Sequence, residues 1–143
     1  MPDVNVLVYA HRPDDPVHPA YRAWLQEAVE QPEPLLLSVL VAVGFVRVVT
    51  NPRIHADPTP LSVAWAAIDR LARHPGCVVV GPGAGHLDLV GRLCRSVDAV
   101  GKQVADAQHA ALAIAEGATW VTRDRDFAQY ERHGLSWQHL ALG

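Results

Sequence analysis

The stretch VADAQHAALAIAEGATWVTRDRDF, residues 104–127, constrains the fold more than any other part of the chain. Its alanine-rich first half predicts a helix over about residues 104–116, which Gly117 ends as the C′ residue. The run TWVT then predicts a buried strand, and a loop with two aspartates follows it. A helix that leads directly into a short buried strand is typical of α/β folds.

Three further segments predict short strands: DVNVLVYA near the start as a buried strand, CVVVGPG in the middle as a strand followed by a turn, and LSWQHL near the end as an edge strand. Between them the apolar spacing predicts helices over residues 18–31, 38–50 and 84–96, with Ser38 as an N-cap, and another that opens at Thr59 with Pro60 near its first position. This alternation predicts a parallel sheet with helices on both faces.

Length and composition predict one folded domain. The chain has 143 residues, half of them hydrophobic, which excludes disorder as the main state. Its formal charge of −3 is not that of a general nucleic-acid binder, so such a role would depend on local basic patches. The longest apolar run, residues 35–46, is shorter than the roughly 20 residues that a membrane span needs. With no signal peptide apparent, we expect a soluble, cytoplasmic protein.

Cysteine and histidine give weaker indications. Cys77 and Cys94 are expected to be small buried side chains rather than a disulfide or a metal site. His133 and His139 have an H-x5-H spacing, but no C-x2-C pair accompanies them, so zinc is not predicted. The four tryptophans are expected to pack in the core rather than to stack on bases: Trp24, Trp65, Trp120 and Trp137.

Acidic residues at the ends of apolar elements are the strongest functional indication. Asp124 follows the strand TWVT, and ligands of parallel sheets bind outside the carboxyl ends of the strands. The same rule does not bring Asp3 to that edge. Each aspartate also has a structural explanation: Asp106 suits a helix N-terminus, Asp124 and Asp126 suit a turn, and Asp3 suits a frayed, solvated terminus. Two carboxylates about 4 Å apart would repel by roughly 4 kcal/mol at an effective dielectric of 20, so a converging group needs a cation or a raised pKa.

Four segments, taken together and in this order, resemble a PIN-domain ribonuclease of the VapC type, the toxin of a toxin–antitoxin pair. They are DVNVLVYA, FVRVVTNPRI, DAQHAALAIAEGATWVTRDRDF and LSWQHL, and they span nearly the whole chain. The resemblance implies a three-layer α/β/α fold with a central parallel sheet, formed by residues 1–143 as a single PIN domain. It also implies a homodimer and inhibition by a cognate antitoxin.

The same resemblance implies an active site. Asp3, Asp106 and Asp124 correspond to the family's acidic residues, which hold Mg²⁺ or Mn²⁺ and cleave RNA. Asp126 is a candidate additional acidic residue of the late motif. The candidate RNA-contacting residues are Arg47 and Arg123, for which an exposed or ion-paired surface position is the alternative. For Thr122, the choice lies between orienting a metal-bound water and serving as a β-branched strand residue.

Two positions depart from the family pattern. Gly44 lies three residues before Arg47, where the family commonly has a glutamate, so this chain resembles a subgroup that lacks the second acidic residue. Lys102 lies four residues before Asp106, where the family often has asparagine or an acidic residue. A lysine there would partly neutralise the site and weaken metal binding, or it would contact phosphate.

The preferred interpretation is a Mg²⁺-dependent endoribonuclease toxin. The alternative is a PIN-like module with weak or no catalysis that binds RNA or a protein, as the missing glutamate suggests. A third interpretation is a phosphatase with an aspartyl nucleophile, which needs a lysine on a later loop; Lys102 is the only lysine in the chain.

Overall fold

A computed structural model describes all residues, 1–143. Its elements, in chain order, are α1 (Val4–His11), α2 (His18–Glu30), β1 (Leu35–Ser38), α3 (Val39–Val49), α4 (Leu61–Ala72), β2 (Cys77–Val80), α5 (His86–Val97), α6 (Lys102–Ala115), β3 (Thr119–Thr122), a 3₁₀ segment (Arg125–His133) and β4 (Ser136–His139). No helix combines the length and the apolar character needed to cross a bilayer.

All the strand pairing is parallel. The strand β1 pairs with β2, and β3 pairs with β4, in two two-stranded ladders. Pro2 forms a further parallel bridge with Val121, and the Asp3 N–H donates to the Val121 carbonyl at 2.8 Å. Parallel pairs need crossover connections, and helices supply them here. The predicted α/β class is therefore confirmed.

The prediction that DVNVLVYA is a buried strand is wrong. Only residues 1–3 are extended beside β3, and the rest of the segment forms α1, which packs against α2 and α3. The β-branched residues favour a strand only weakly, and burial of Val6 and Leu7 between helices outweighs that preference. Asp3 is the N-cap of α1, since its side chain accepts from the Val4 N–H.

A second difference concerns the apolar run at residues 35–46. The structure divides it into β1 and the start of α3, whereas the sequence predicted only the helix. Continuous apolar runs do not distinguish a buried strand from a buried helix. The predicted N-cap is confirmed, because the Ser38 hydroxyl accepts from the N–H groups of Leu40 and Val41 at 3.1 and 3.4 Å.

The remaining elements were predicted to within a few residues. The strands β2, β3 and β4 lie where expected, as do α2, α5 and α6. Pro60 is the N-cap of α4, one position before the helix begins. Gly117 has a φ of 61°, which explains why a glycine follows α6.

The core is built around α6 and β3. Four alanines of α6 are completely buried, and their small side chains let the helix lie close to the other elements: Ala107, Ala110, Ala111 and Ala113. Trp120 of β3 is also fully buried, as predicted, but Trp65 is 41% exposed, which contradicts the expectation for that residue. Cys77 and Cys94 are free thiols; Cys77 is buried, as predicted, whereas Cys94 is only partly buried.

A smaller cluster attaches the C-terminal residues to the helices. Val6, Tyr21, Val121 and Leu140 form this cluster, which joins α1, α2 and β3. The buried Tyr21 hydroxyl donates to the Leu140 carbonyl at 2.6 Å. The segment after β4 is thereby held against α2.

Replacing Tyr21 with phenylalanine tests this attachment. We expect Tyr21→Phe to lower the free energy of unfolding by about 1–2 kcal/mol, because the buried Leu140 carbonyl loses its donor. Urea denaturation followed by circular dichroism measures the change. Tyr9→Phe is the matched control, since the Tyr9 ring packs 5.2 Å from the Tyr21 ring but does not hold this carbonyl. Equal losses in the two variants would contradict the assignment.

Candidate active site

The three aspartates singled out in the sequence line one pocket of about 560 Å³. Asp3 caps α1, Asp106 lies in α6, and Asp124 follows β3. Because residues 1–3 run parallel to β3, Asp3 and Asp124 leave the carboxyl ends of neighbouring extended segments at the same edge. The short extended segment therefore brings Asp3 to the other two aspartates, which the sequence alone did not predict.

The carboxylate of Asp3 is held firmly. It is 8% exposed and accepts from the Val4 N–H at 2.6 Å, the Asn5 amide at 2.9 Å and the Thr122 hydroxyl at 2.5 Å. Burial raises the pKa of Asp3, while the hydrogen bonds from Thr122 and Val4 oppose that rise. The carboxylate is therefore oriented before any ligand arrives.

Thr122 and Asn5 connect Asp3 to the loop that carries Asp124. The Thr122 hydroxyl accepts from the Asp124 N–H at 2.9 Å, and the Asn5 side chain accepts from the Arg123 N–H at 3.3 Å. Sequence reasoning missed Asn5. Its two-residue spacing from Asp3, at the start of an apolar run, was the available indication.

Lys102 lies between the other two carboxylates. Its Nζ is 3.0 Å from Oδ2 of Asp124 and 3.6 Å from Oδ2 of Asp106. The hydrogen bond to Asp124 is the main reason why the pKa of Lys102 is raised. For Asp106, burial raises the pKa and Lys102 opposes the rise. For Asp124, burial alone would raise the pKa of the carboxyl group. The hydrogen bond from the Asp126 N–H and the Lys102 ammonium outweigh burial, so the pKa is lowered.

The donor set suits a hard divalent cation. It offers three carboxylates, and Mg²⁺ and Mn²⁺ prefer such oxygen ligands. As the side chains are placed, no three His, Cys, Asp or Glu residues are grouped closely enough to hold an ion. The ammonium of Lys102 already lies against two of the three carboxylates, where it neutralises part of their charge.

Val4 takes the space that a side chain at position 44 would enter. A Cβ added to Gly44 would lie 2.9 Å from Cγ2 of Val4, which is closer than real Cβ contacts. Val4 also lines the pocket beside Asp3. Gly44 therefore allows α1 and α3 to lie close together, and it contributes no fourth carboxylate to the pocket.

Of the other three predicted site residues, one lines the pocket and two lie outside its lining. Arg47 is exposed and lines the pocket. Asp126 is exposed and is not among the lining residues, although its N–H donates to Asp124. Arg123 also lies outside the lining, with its guanidinium 4.7 Å from the centre of the Tyr9 ring.

Arg12 is a further lining residue that sequence reasoning missed. It is only 8% exposed, and its guanidinium donates to the Asp57 carbonyl at 2.7 Å and to the Asp14 carboxylate at 2.8 Å. These contacts join the loop after α1 to the loop before α4, and Arg12 lines the pocket together with Arg47 and His55. The proline-rich surroundings indicated only a loop.

Comparison with known proteins shows which family this chain belongs to. A model of the PIN domain matches residues 1–133. This chain belongs to the PIN-domain family. The chain is 44% identical over 137 residues to the VapC ribonuclease Mb2897 of Mycobacterium bovis, which covers 96% of this chain and 92% of that protein. It is 37% identical over 128 residues to ribonuclease VapC31 of Mycobacterium tuberculosis, with 90% of each chain covered. The predicted resemblance to VapC-type PIN proteins is confirmed.

Solved structures confirm the PIN fold. VapBC2 from Rickettsia felis, bound to a promoter DNA fragment, matches with a TM-score of 0.70 and 18% identity over 99% of this chain and 98% of that chain. VapBC-1 from nontypeable Haemophilus influenzae matches with a TM-score of 0.64 and 16% identity over 96% and 95% of the two chains. At such low identity the likeness concerns the fold alone.

Replacing Thr122 with valine tests its role as the residue that holds the site together. We expect Thr122→Val to lower the free energy of unfolding in metal-free buffer by about 2 kcal/mol, because buried Asp3 loses a donor and the Asp124 N–H loses an acceptor. Urea denaturation measures the loss. Thr119→Val, at the exposed start of the same strand, is the matched control and is expected to change stability by less than about 0.5 kcal/mol. A Thr122→Val protein as stable as the control would show that this hydroxyl does not hold the site.

Proposed function

We propose that this chain is a Mg²⁺-dependent endoribonuclease, the toxin of a toxin–antitoxin pair, with residues 1–143 acting as a single PIN domain. The observation that carries the proposal is that Asp3, Asp106 and Asp124 line one pocket. The curated relatives, which are named ribonucleases of the VapC type, support it.

Within this proposal Asp3, Asp106 and Asp124 would hold the ion, with Mn²⁺ as an alternative to Mg²⁺. When bound, such an ion lowers the pKa of a water molecule and offsets the negative charge that builds on the phosphoryl oxygens. Asp3 contributes orientation, because Thr122 and Asn5 fix its carboxylate. Arg47, at the rim of the same pocket, is placed to bind an RNA phosphate.

Electrostatics favours metal dependence. Three carboxylates in one pocket repel a phosphodiester, and the single ammonium of Lys102 offsets only part of their charge. A divalent ion held by these carboxylates would offset the remaining repulsion. The proposal therefore makes RNA binding at the acidic end depend on the metal.

Two protein partners belong to the proposal. The structural neighbours are VapBC proteins, and an arginine of a cognate antitoxin would pair well with the carboxylates of the pocket. A homodimer would cover exposed apolar side chains of α4 such as Leu61 and Trp65, which lie four residues apart on one helix face. Light scattering of the purified chain tests the dimer. The cytoplasmic location stays a prediction.

A second candidate function is a PIN-like module that binds RNA or a protein without cleaving it. The contact between Val4 and Gly44, which leaves the pocket without a fourth carboxylate, is the observation that favours this alternative. The two candidates differ in one measurable property, which is RNA cleavage with an added divalent metal.

Cleavage of a labelled RNA mixture tests the proposed function. We expect the chain to cut RNA with Mg²⁺ or Mn²⁺ and to stop when EDTA is added. Asp106→Asn should lower the rate at least about 100-fold, because it removes a metal ligand whose loss costs several kcal/mol of transition-state stabilisation. Asp126→Asn removes an exposed carboxylate outside the pocket and should stay within about twofold of the unchanged protein.

Two results would go against the proposal. A protein that binds RNA but cuts none at any Mg²⁺ or Mn²⁺ concentration would be the binding module. An Asp106→Asn variant that cuts as fast as the unchanged chain would show that the acidic pocket is not the active site.

A further inference from the structure

The placement of Lys102 is not explained by the helix that carries it. Lys102 is the first residue of α6, and a cation at a helix N-terminus is unfavourable because of the helix dipole. Its spacing to Asp106 is i, i+4 with the cation first, which is the weaker orientation for a helical ion pair. The side chain is also 73% exposed, so packing does not hold it there.

The acidic pocket explains the position better. The ammonium contacts carboxylates from two different elements, at 3.0 Å for Asp124 and 3.6 Å for Asp106. Asp3, Asp106, Asp124 and Lys102 together carry a formal charge of −2 at the acidic end of the pocket. One divalent ion would balance that charge. Position 44, where the family commonly has a glutamate, holds Gly44 and adds no fourth carboxylate.

From this geometry we propose that Lys102 is a built-in counter-cation that competes with the divalent ion for Asp106 and Asp124 and so sets the metal affinity of the pocket. The inference rests on the proposed function, since the divalent ion is part of it. Lysine suits the task because its ammonium is a compact charge on a flexible four-carbon stem. The exposed side chain leaves the carboxylates at little cost when the ion enters.

The expected size follows from simple electrostatics. An ion that binds to the unchanged chain must displace the ammonium from two carboxylates and then tolerate a positive charge nearby. In a partly solvated pocket this costs about tenfold in affinity. Removing the ammonium should therefore raise the metal affinity about tenfold. Replacing lysine with arginine keeps the positive charge near the carboxylates and should raise the affinity little.

Binding of Mn²⁺ alone to the full chain tests the proposal, with the free ion measured by electron paramagnetic resonance. We expect Lys102→Met to bind Mn²⁺ about tenfold more tightly than the unchanged chain. Lys102→Arg, which keeps the charge, should stay within about threefold of the unchanged chain. Arg92→Gln is the control for net charge, because Arg92 is exposed on α5 and does not line the pocket.

The outcomes separate clearly. Equal affinity of Lys102→Met and the unchanged chain overturns the inference, as does an equal gain in Arg92→Gln or in Lys102→Arg. If none of the proteins binds Mn²⁺, the inference fails as well. Tighter binding in Lys102→Met alone supports it, including the case in which only that variant binds measurably.

RNA cleavage by the same proteins distinguishes this inference from the proposed function. If affinity changes as expected but no protein cuts RNA, Lys102 is the counter-cation of a metal site and the nuclease proposal fails. If Lys102→Met cuts RNA more slowly at saturating metal and its Mn²⁺ affinity is unchanged, Lys102 acts on the substrate and this inference fails, while the nuclease proposal stands.

Discussion

The site depends on the parallel pairing of residues 1–3 with β3. Two backbone hydrogen bonds, from Asp3 to Val121 and from Val121 to Met1, bring Asp3 to the edge where Asp124 leaves the sheet. The chain then turns at once into α1, with Asp3 as the N-cap, so its carboxylate remains at that edge. The Thr122 hydroxyl fixes the arrangement, because it contacts both Asp3 and the Asp124 backbone.

Unlike the apolar core, the pocket contains carboxylates whose ionisation is unfavourable. Burial raises the pKa of Asp3 and of Asp106, so the folded chain carries these carboxylates at a cost in stability. Costs of this kind are common at functional sites, where stability is given up for chemistry. Lys102 reduces the cost in the absence of metal, and in our account it also makes metal binding weaker.

How far the sequence predicts the structure varies along the chain. The late motif was predicted well, because helix, glycine stop, strand and acidic loop lie close together and each has its own local pattern. The start was mistaken for a strand, since only tertiary packing decides that Val4–His11 is a helix. Asn5 and Arg12 were missed because their partners lie 118 and 45 residues away in the chain, at Arg123 and Asp57. The contact between Val4 and Gly44 likewise has no local pattern.

The central claim is that Asp3, Asp106 and Asp124 share a divalent ion. Anomalous diffraction from crystals soaked in Mn²⁺ tests it most directly. Our account predicts an anomalous peak in the pocket, about 2.2 Å from carboxylate oxygens of these three residues, with the Lys102 ammonium moved away from Asp106 and Asp124. A soaked crystal with no peak there, or with manganese only at histidines elsewhere on the surface, would contradict the account.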